Sequence, residues 1–307
     1  MTLGAPTNDR ARGIGYGLGA YFIWGLFPLY WPLLKPATAL EILSHRVFWT
    51  FLLLVVLNSV RRKWAGVGRA LGDRRILLIM TAAAMMLAAN WGIYIWAVNA
   101  NRVVDASLGY FINPLVSVAF GVLFLRERLR PLTWVAIGIG FVAILVLAVD
   151  HGSVPWVGLS LAFSFGTYGL AKKVANLEAF VSLTVETLVI APFAVAYLLW
   201  LGVHATLVFG HSSVGQSLLS IGSGPVTALP LLLFGVAITR IPLSTIGLLQ
   251  YATPTGQFIL GLWLFHEPMT SLRWVGFVIV WIALAVFTVD NFREGREVRP
   301  RSVAEID

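Results

Sequence analysis

Apolar residues fall in ten long runs along the chain, at about 14–33, 40–60, 75–99, 103–125, 131–149, 154–174, 181–201, 217–238, 242–265 and 271–289. Each run is apolar on all sides rather than along one stripe, and each is near the roughly 20 residues that carry an α-helix across a bilayer. A membrane β-barrel strand would instead alternate in hydrophobicity over about ten residues. The pattern predicts an all-α integral membrane protein of ten transmembrane helices.

Composition agrees with this pattern. The 307 residues are 58% hydrophobic and 12% charged, with a mean hydropathy of +0.84, outside the range of an ordinary soluble domain. Helices and short loops use up nearly all of the chain, so no separate soluble domain is expected. Cysteine is absent and the five histidines are scattered, so no metal site or cofactor is predicted. The first run has basic flanking residues but is too long for a signal peptide and lacks a clear cleavage site, and is read as a retained helix.

The net charge of +8 raises the question of nucleic acid. The basic residues, however, sit in turns and tails beside apolar runs, where they orient helices in the lipid bilayer, and no nucleic-acid partner is expected. With the N-terminus inside, 18 of the 22 Lys and Arg face the cytoplasm. Lys35, Arg102 and Arg273 fall outside and Arg46 falls within a run. Both termini are therefore expected to be cytoplasmic.

A shift of 140 residues aligns Pro114 with Pro254, Gly121 with Gly261, Glu127 with Glu267, Trp134 with Trp274 and Asp150 with Asp290. In all, 11 identities fall in 37 ungapped positions, more than shared apolar composition explains. A shift of 141 aligns Gly17-Leu18 with Gly158-Leu159 and Gly25 with Gly166. The expected organisation is a cytoplasmic arm (1–13), a first repeat (14–150), a second repeat (151–290) and a basic cytoplasmic tail (291–307). Five helices per repeat is an odd number, so the second repeat enters from the opposite side; inverted repeats of this kind imply alternating access.

Several stretches also resemble a family. Ala20-Tyr21-Phe22-Ile23-Trp24-Gly25, His45-Arg46, Asn90-Trp91 with Ile95-Trp96-Ala97-Val98-Asn99, and Ala106–Leu115 (ASLGYFINPL) are similar to RarD-type permeases of the EamA family, in the drug/metabolite transporter superfamily. Phe163-Ser164-Phe165, Tyr168-Gly169-Leu170 and Gln250-Tyr251 with Pro254 extend the resemblance over residues 13–290. It implies ten helices, a bacterial-type inner membrane, and a permease or exporter of amino acids, metabolites or drugs. The family's Gly-Glu-Arg turn reads Arg126-Glu127-Arg128 here, and its second copy reads His266-Glu267-Pro268.

The polar residues inside the runs are the candidate site, because such residues mark pathways in membranes. They concentrate between Asn90 and Pro114. At about 1.5 Å per residue, Asn90 and Asn113 lie near the midplane. Trp24, Gln250, Tyr251 and Thr253 fall at similar depth, and Tyr94 is one turn from Asn90. These residues are expected to line a substrate cavity, with Trp24 and Tyr251 stacking and the amides fixing polar groups. The competing expectation is that Asn and Gln bridge helices through hydrogen bonds of about 0.6–2 kcal/mol.

Glu41 and His45 share a helix face and stand beside Arg46. An unpaired charge there costs about 2.5–3.5 kcal/mol, so Arg46 either snorkels outward or pairs with Asp105 or Glu41. An outer gate, or a contact for an anionic group, built from Arg46, His45 and Asp105 is one expectation; a structural ion pair is the other. Arg102 and Asp105 form the charged turn of the same region. Glu186 either binds a proton, which would make proton coupling available, or pairs with Lys172 or Lys173. Glu127 and Glu267 are expected to cap helices. Pro114 and Pro254 are paired hinge candidates, and Gly15-x-x-x-Gly19 is expected to allow close helix packing.

The function expected is secondary transport of a small-molecule substrate, since Gly13, Gly15, Gly17 and Gly19 lack the strand and acidic partner of a nucleotide site. A membrane enzyme on a lipid-linked substrate would need a catalytic constellation, and Glu41, His45 and Arg46 are too sparse for one. A non-transporting receptor or assembly subunit is disfavoured by the repeat and its midplane polar residues.

Overall fold

The computed structural model describes residues 7–99, 103–151, 156–263 and 271–297. It is all-helical, with no strand among the described residues. The helices are α1 (Thr7–Gly25), α2 (Phe27–Tyr30), α3 (Ala39–Arg61), α4 (Trp64–Gly72), α5 (Arg74–Asn99), α6 (Val103–Leu125) and α7 (Pro131–His151). They continue as α8 (Trp156–Ala175), α9 (Ala179–Val203), α10 (Val214–Arg240), α11 (Leu243–Leu249), α12 (Ala252–Trp263) and α13 (Ser271–Glu297). Over the described residues, each of the ten apolar runs is mainly helical. Among the described residues five stretches, Asp9–Leu34, Ala39–Arg61, Arg74–Tyr94, Ala179–Val203 and Val214–Arg240, are long and apolar enough to cross a membrane.

Local chemistry sets the helix ends. Thr38 caps α3 by accepting the Glu41 N–H at 3.2 Å, and Ser213 caps α10 by accepting that of Gln216 at 3.1 Å. α3 stops at Arg62, which adopts the left-handed conformation at φ 52°. Two runs are broken where the sequence predicts continuous spans. The first ends as a helix at Gly25 and proceeds through α2 and a 3-10 turn, Trp31–Leu34, where Pro28 and Pro32 remove backbone donors. The ninth breaks at Gln250–Tyr251, because Pro254 at the start of α12 has no N–H for the Gln250 carbonyl; that carbonyl takes the Thr253 N–H at 3.0 Å instead. Its counterpart Pro114 lies inside an unbroken α6. The loop at 64–72 is also helical: α4 buries Val67 and Ala70 and lies against α9.

Packing pairs distant segments. α6 lies on α8, and α1 on α11 and α12; α5 lies on α8, and α1 on α10; α3 lies on α10, and α5 on α9. α3 also packs on α9, α6 on α11 and α7 on α13. Glycine sets two close approaches. A side-chain carbon on Gly109 would come within 3.0 Å of the Gly158 carbonyl, and one on Gly25 within 3.3 Å of the Thr253 carbonyl. On α1 the packed glycines are Gly13 and Gly17, against Ile241 and Leu249, while Gly15 meets nothing within 4 Å. This corrects the expectation for Gly15-x-x-x-Gly19: the buried stripe is offset by two residues. Leu123, Phe124, Phe193 and Trp263 are more than 60% exposed on the outside of the bundle, as lipid-facing side chains would be.

Candidate substrate cavity

α3, α5, α9 and α10 enclose a narrow cavity lined by Arg46, Thr50, Trp91, Glu186, Thr187 and Thr227, with Leu87, Leu183, Ile190 and Leu231 between them. It has room for about one water-sized body. Arg46 Nε donates to Thr227 Oγ1 at 3.0 Å. The guanidinium carbon is 4.3 Å from the Trp31 ring centre, 4.6 Å from that of Trp91 and 5.8 Å from that of Phe27. Phe27 and Trp31, four residues apart, reach this position because the chain recoils after α1.

A desolvated cation–π contact is worth about 2 kcal/mol, so two indoles together are enough to offset the roughly 2.5–3.5 kcal/mol of placing an arginine in the membrane. Arg46 pairs with no carboxylate among the described residues, which corrects the expected pairing with Glu41. Tyr94 and Tyr110 are also in its electrostatic surroundings, with their ring centres 6.2 Å apart.

Glu186 is on α9, and its carboxylate is fully engaged. Lys172 Nζ lies 2.7 Å from Oε1, Ser182 donates to Oε1 at 2.9 Å, and Tyr168 donates to Oε2 at 3.0 Å. Of the two expected lysine partners Lys172 is the one used. Lys173 instead caps α10, donating to the carbonyls of Ile238 at 2.8 Å and Ile241 at 2.7 Å.

The amides predicted to bind substrate sit elsewhere. Asn90 Nδ2 donates to the Leu161 carbonyl at 2.9 Å and to Ser164 Oγ at 3.0 Å, bridging α5 to α8. Gln250 donates to Ser117 Oγ at 3.4 Å, and Thr253 to the Tyr21 carbonyl at 2.8 Å. Asn113, Gln250, Tyr251 and Thr253 are buried along α6, α11 and α12, and none lines the cavity. The oxygens Asn113 Oδ1, Gln250 Oε1 and Tyr251 Oη make no hydrogen bond among the described residues. Trp24 packs in an aromatic cluster with Tyr21, Phe165 and Phe234, at ring distances of 5.3, 5.9 and 5.8 Å. These residues form the seam between α1, α6, α8, α11 and α12.

Two further carboxylates tie loops to helices. Glu41 Oε1 accepts the N–H groups of Val208 at 2.8 Å and Phe209 at 3.3 Å, with His45 Nε2 3.8 Å away. The ring of His45 faces Phe209 at 5.0 Å rather than joining Arg46. Glu127 does not cap its own following helix. It reaches α11, accepting the N–H of Leu243 at 2.6 Å, and the N–H and hydroxyl of Ser244 at 2.9 and 2.6 Å. Arg102 and Glu267 lie outside the described residues, as do the side chains of Asn99 and Asp105.

Sequence reasoning singled out Arg46, Glu186 and Tyr94, and Lys172 as a partner of Glu186, but not Trp31, Trp91, Thr187 or Thr227 as parts of the site. One signal was available. The shift of 141 carries Phe27, Trp31, His45 and Arg46 onto Tyr168, Lys172, Glu186 and Thr187. The shift sets Trp31 of the aromatic cage against Lys172 of the ion pair.

An all-helical bundle with apolar side chains exposed on its outside and helices long and apolar enough to cross a membrane belongs to the class of multi-pass membrane proteins. Residues 11–149 match the model of the EamA-like transporter family. The chain is 50% identical to Protein RarD of Streptomyces exfoliatus, over 96% of this chain and 93% of that one. It is 43% identical to the uncharacterized transporter YojE of Bacillus subtilis, over 93% and 96% of the two chains. A crystal structure 14% identical in sequence shares the fold with a TM-score of 0.69, covering 92% of this chain and 98% of that one. The chain belongs to the EamA family, as a RarD-type permease.

Proposed function

We propose that this permease is a secondary transporter that moves a small metabolite, amino acid or amphipathic drug by alternating access. Ten crossing helices form two inverted five-helix repeats, and both termini are cytoplasmic. The observation that carries this reading is the cavity: α3 and α5 wall it from the first half, α9 and α10 from the second, where transporters with inverted repeats bind substrate.

The packing supports the repeat. Exchanging α1 with α8, α3 with α9, α5 with α10, α6 with α11–α12 and α7 with α13 maps the main helix contacts onto one another. At residue level Gly17 meets Leu249 where Gly158 meets Gly109, and Gly25 meets Gly256 where Gly166 meets Val116. Both exits are fastened in this arrangement. Glu41 ties the 208–209 loop on the outer side, and Glu127 and Lys173 tie α11 and α10 on the inner side. The conformation then corresponds to an occluded state, with Pro114 and Pro254 as the hinge candidates and Glu186 as the candidate for proton coupling.

The test is flux. Compounds that raise the thermal stability of the purified protein are loaded into proteoliposomes and followed with and without a pH gradient. At least one is expected to cross in a protein-dependent way; binders of which none crosses would contradict transport.

A further inference from the structure

Resting on the transport reading, we propose that Arg46 is the substrate-anchoring residue and that the cargo carries a carboxylate, gripped end-on by the guanidinium once the cavity, which in this conformation has room for about one water-sized body, opens. The indoles of Trp31 and Trp91 lie against the guanidinium at 4.3 and 4.6 Å, and Nε is committed to Thr227 at 3.0 Å. What is left is the edge formed by the two terminal nitrogens. A guanidinium edge matches a carboxylate through two parallel charge-assisted hydrogen bonds.

The charge balance points the same way. Glu41 is held by backbone N–H groups of the 208–209 loop, and Glu186 is held by Lys172, Ser182 and Tyr168. Neither carboxylate answers Arg46, although Glu186 lines the same cavity. The rings hold the cation in place without neutralising it, so an anionic cargo gains the full charge-assisted contact on entry. Trp91, Tyr94 and Tyr110 surround the same charge, which suits a carboxylate attached to an apolar or aromatic body.

The probes are acetate and 3-phenylpropionate, with acetamide and 3-phenylpropionamide as neutral isosteres. Each is titrated into the full-length protein in lipid nanodiscs at constant ionic strength, with thermal stability and tryptophan fluorescence as readouts. The carboxylates are expected to give saturable shifts and the amides none. Arg46→Gln should abolish the shifts, and Arg46→Lys, which keeps the charge but not the fork, should weaken binding about tenfold. Shifts of equal size with the amides, shifts that survive in Arg46→Gln, or no saturable shift with either carboxylate would overturn the assignment. Asp105→Asn shows whether the chain itself supplies the anion: tighter carboxylate binding in that variant would mean that Asp105 occupies the guanidinium edge, against the proposal, and unchanged binding supports it.

Flux separates this inference from the transport reading. Carboxylate binding that depends on Arg46, with no flux of either probe or of any stabilising compound, would remove transport and keep the site. Flux of a neutral compound undiminished by Arg46→Gln would keep transport and remove the site.

Discussion

Lys172 Nζ stands 2.7 Å from Glu186 Oε1, and the two side chains are only 2% and 1% exposed. Removing one partner leaves the other charge buried, at a cost of about 3–5 kcal/mol. Glu186→Gln and Lys172→Met should each lower thermal stability by this order, and the double variant by less than the sum, because it leaves no charge unpaired. If Glu186 couples transport to protons, Glu186→Gln flux becomes insensitive to a pH gradient.

Asn90 separates a bridging amide from a binding one. Its two hydrogen bonds hold α5 against α8, so Asn90→Ala should cost about 0.6–2 kcal/mol of stability while leaving the affinity for any transported compound unchanged. A loss of affinity at normal stability would return Asn90 to the substrate site.

Glu127 caps the first turn of α11 from another segment of the chain. Glu127→Ala should cost about 0.5–2 kcal/mol, the range of a lost helix cap. Amide hydrogen exchange should quicken at Leu243 and Ser244 and stay unchanged in α7; equal protection at both amides would contradict this.

Glycine positions on the packed faces should respond unequally. Gly109→Val forces a side chain against the Gly158 carbonyl and Leu161 and is expected to destabilise by about 1–3 kcal/mol. Gly15→Val, with nothing within 4 Å, should be tolerated. Thermal unfolding of the two variants in detergent gives the comparison.

The bundle was readable because a long apolar run has few alternatives to a helix; the proposed repeat rests on Pro114, Glu127, Trp134 and Asp150, whose residue types recur at one spacing. The site was readable only in part. Depth along a helix singled out Asn90 and Asn113, but depth says nothing of which way a side chain points: Asn90 bonds across to α8, and neither residue lines the cavity. Arg46 was visible as a charge inside a run, yet its partners come from residues 31, 91 and 227, a meeting that only the packing of three segments brings about. The break at Gln250–Tyr251 was hidden for a similar reason: Pro114 and Pro254 are aligned residues, and only one of them interrupts its helix.

The chain has no cysteine, so a single introduced thiol can report directly on alternating access. Thr187 lines the cavity, is 7% exposed, and bonds only to carbonyls of its own helix, which makes Thr187→Cys a mild change. Labelling with a membrane-impermeant thiol reagent, applied separately to right-side-out and inside-out vesicles, should modify this cysteine from both sides, and a bound carboxylate should slow both reactions. Labelling from one side alone would contradict a central site that opens to each face in turn.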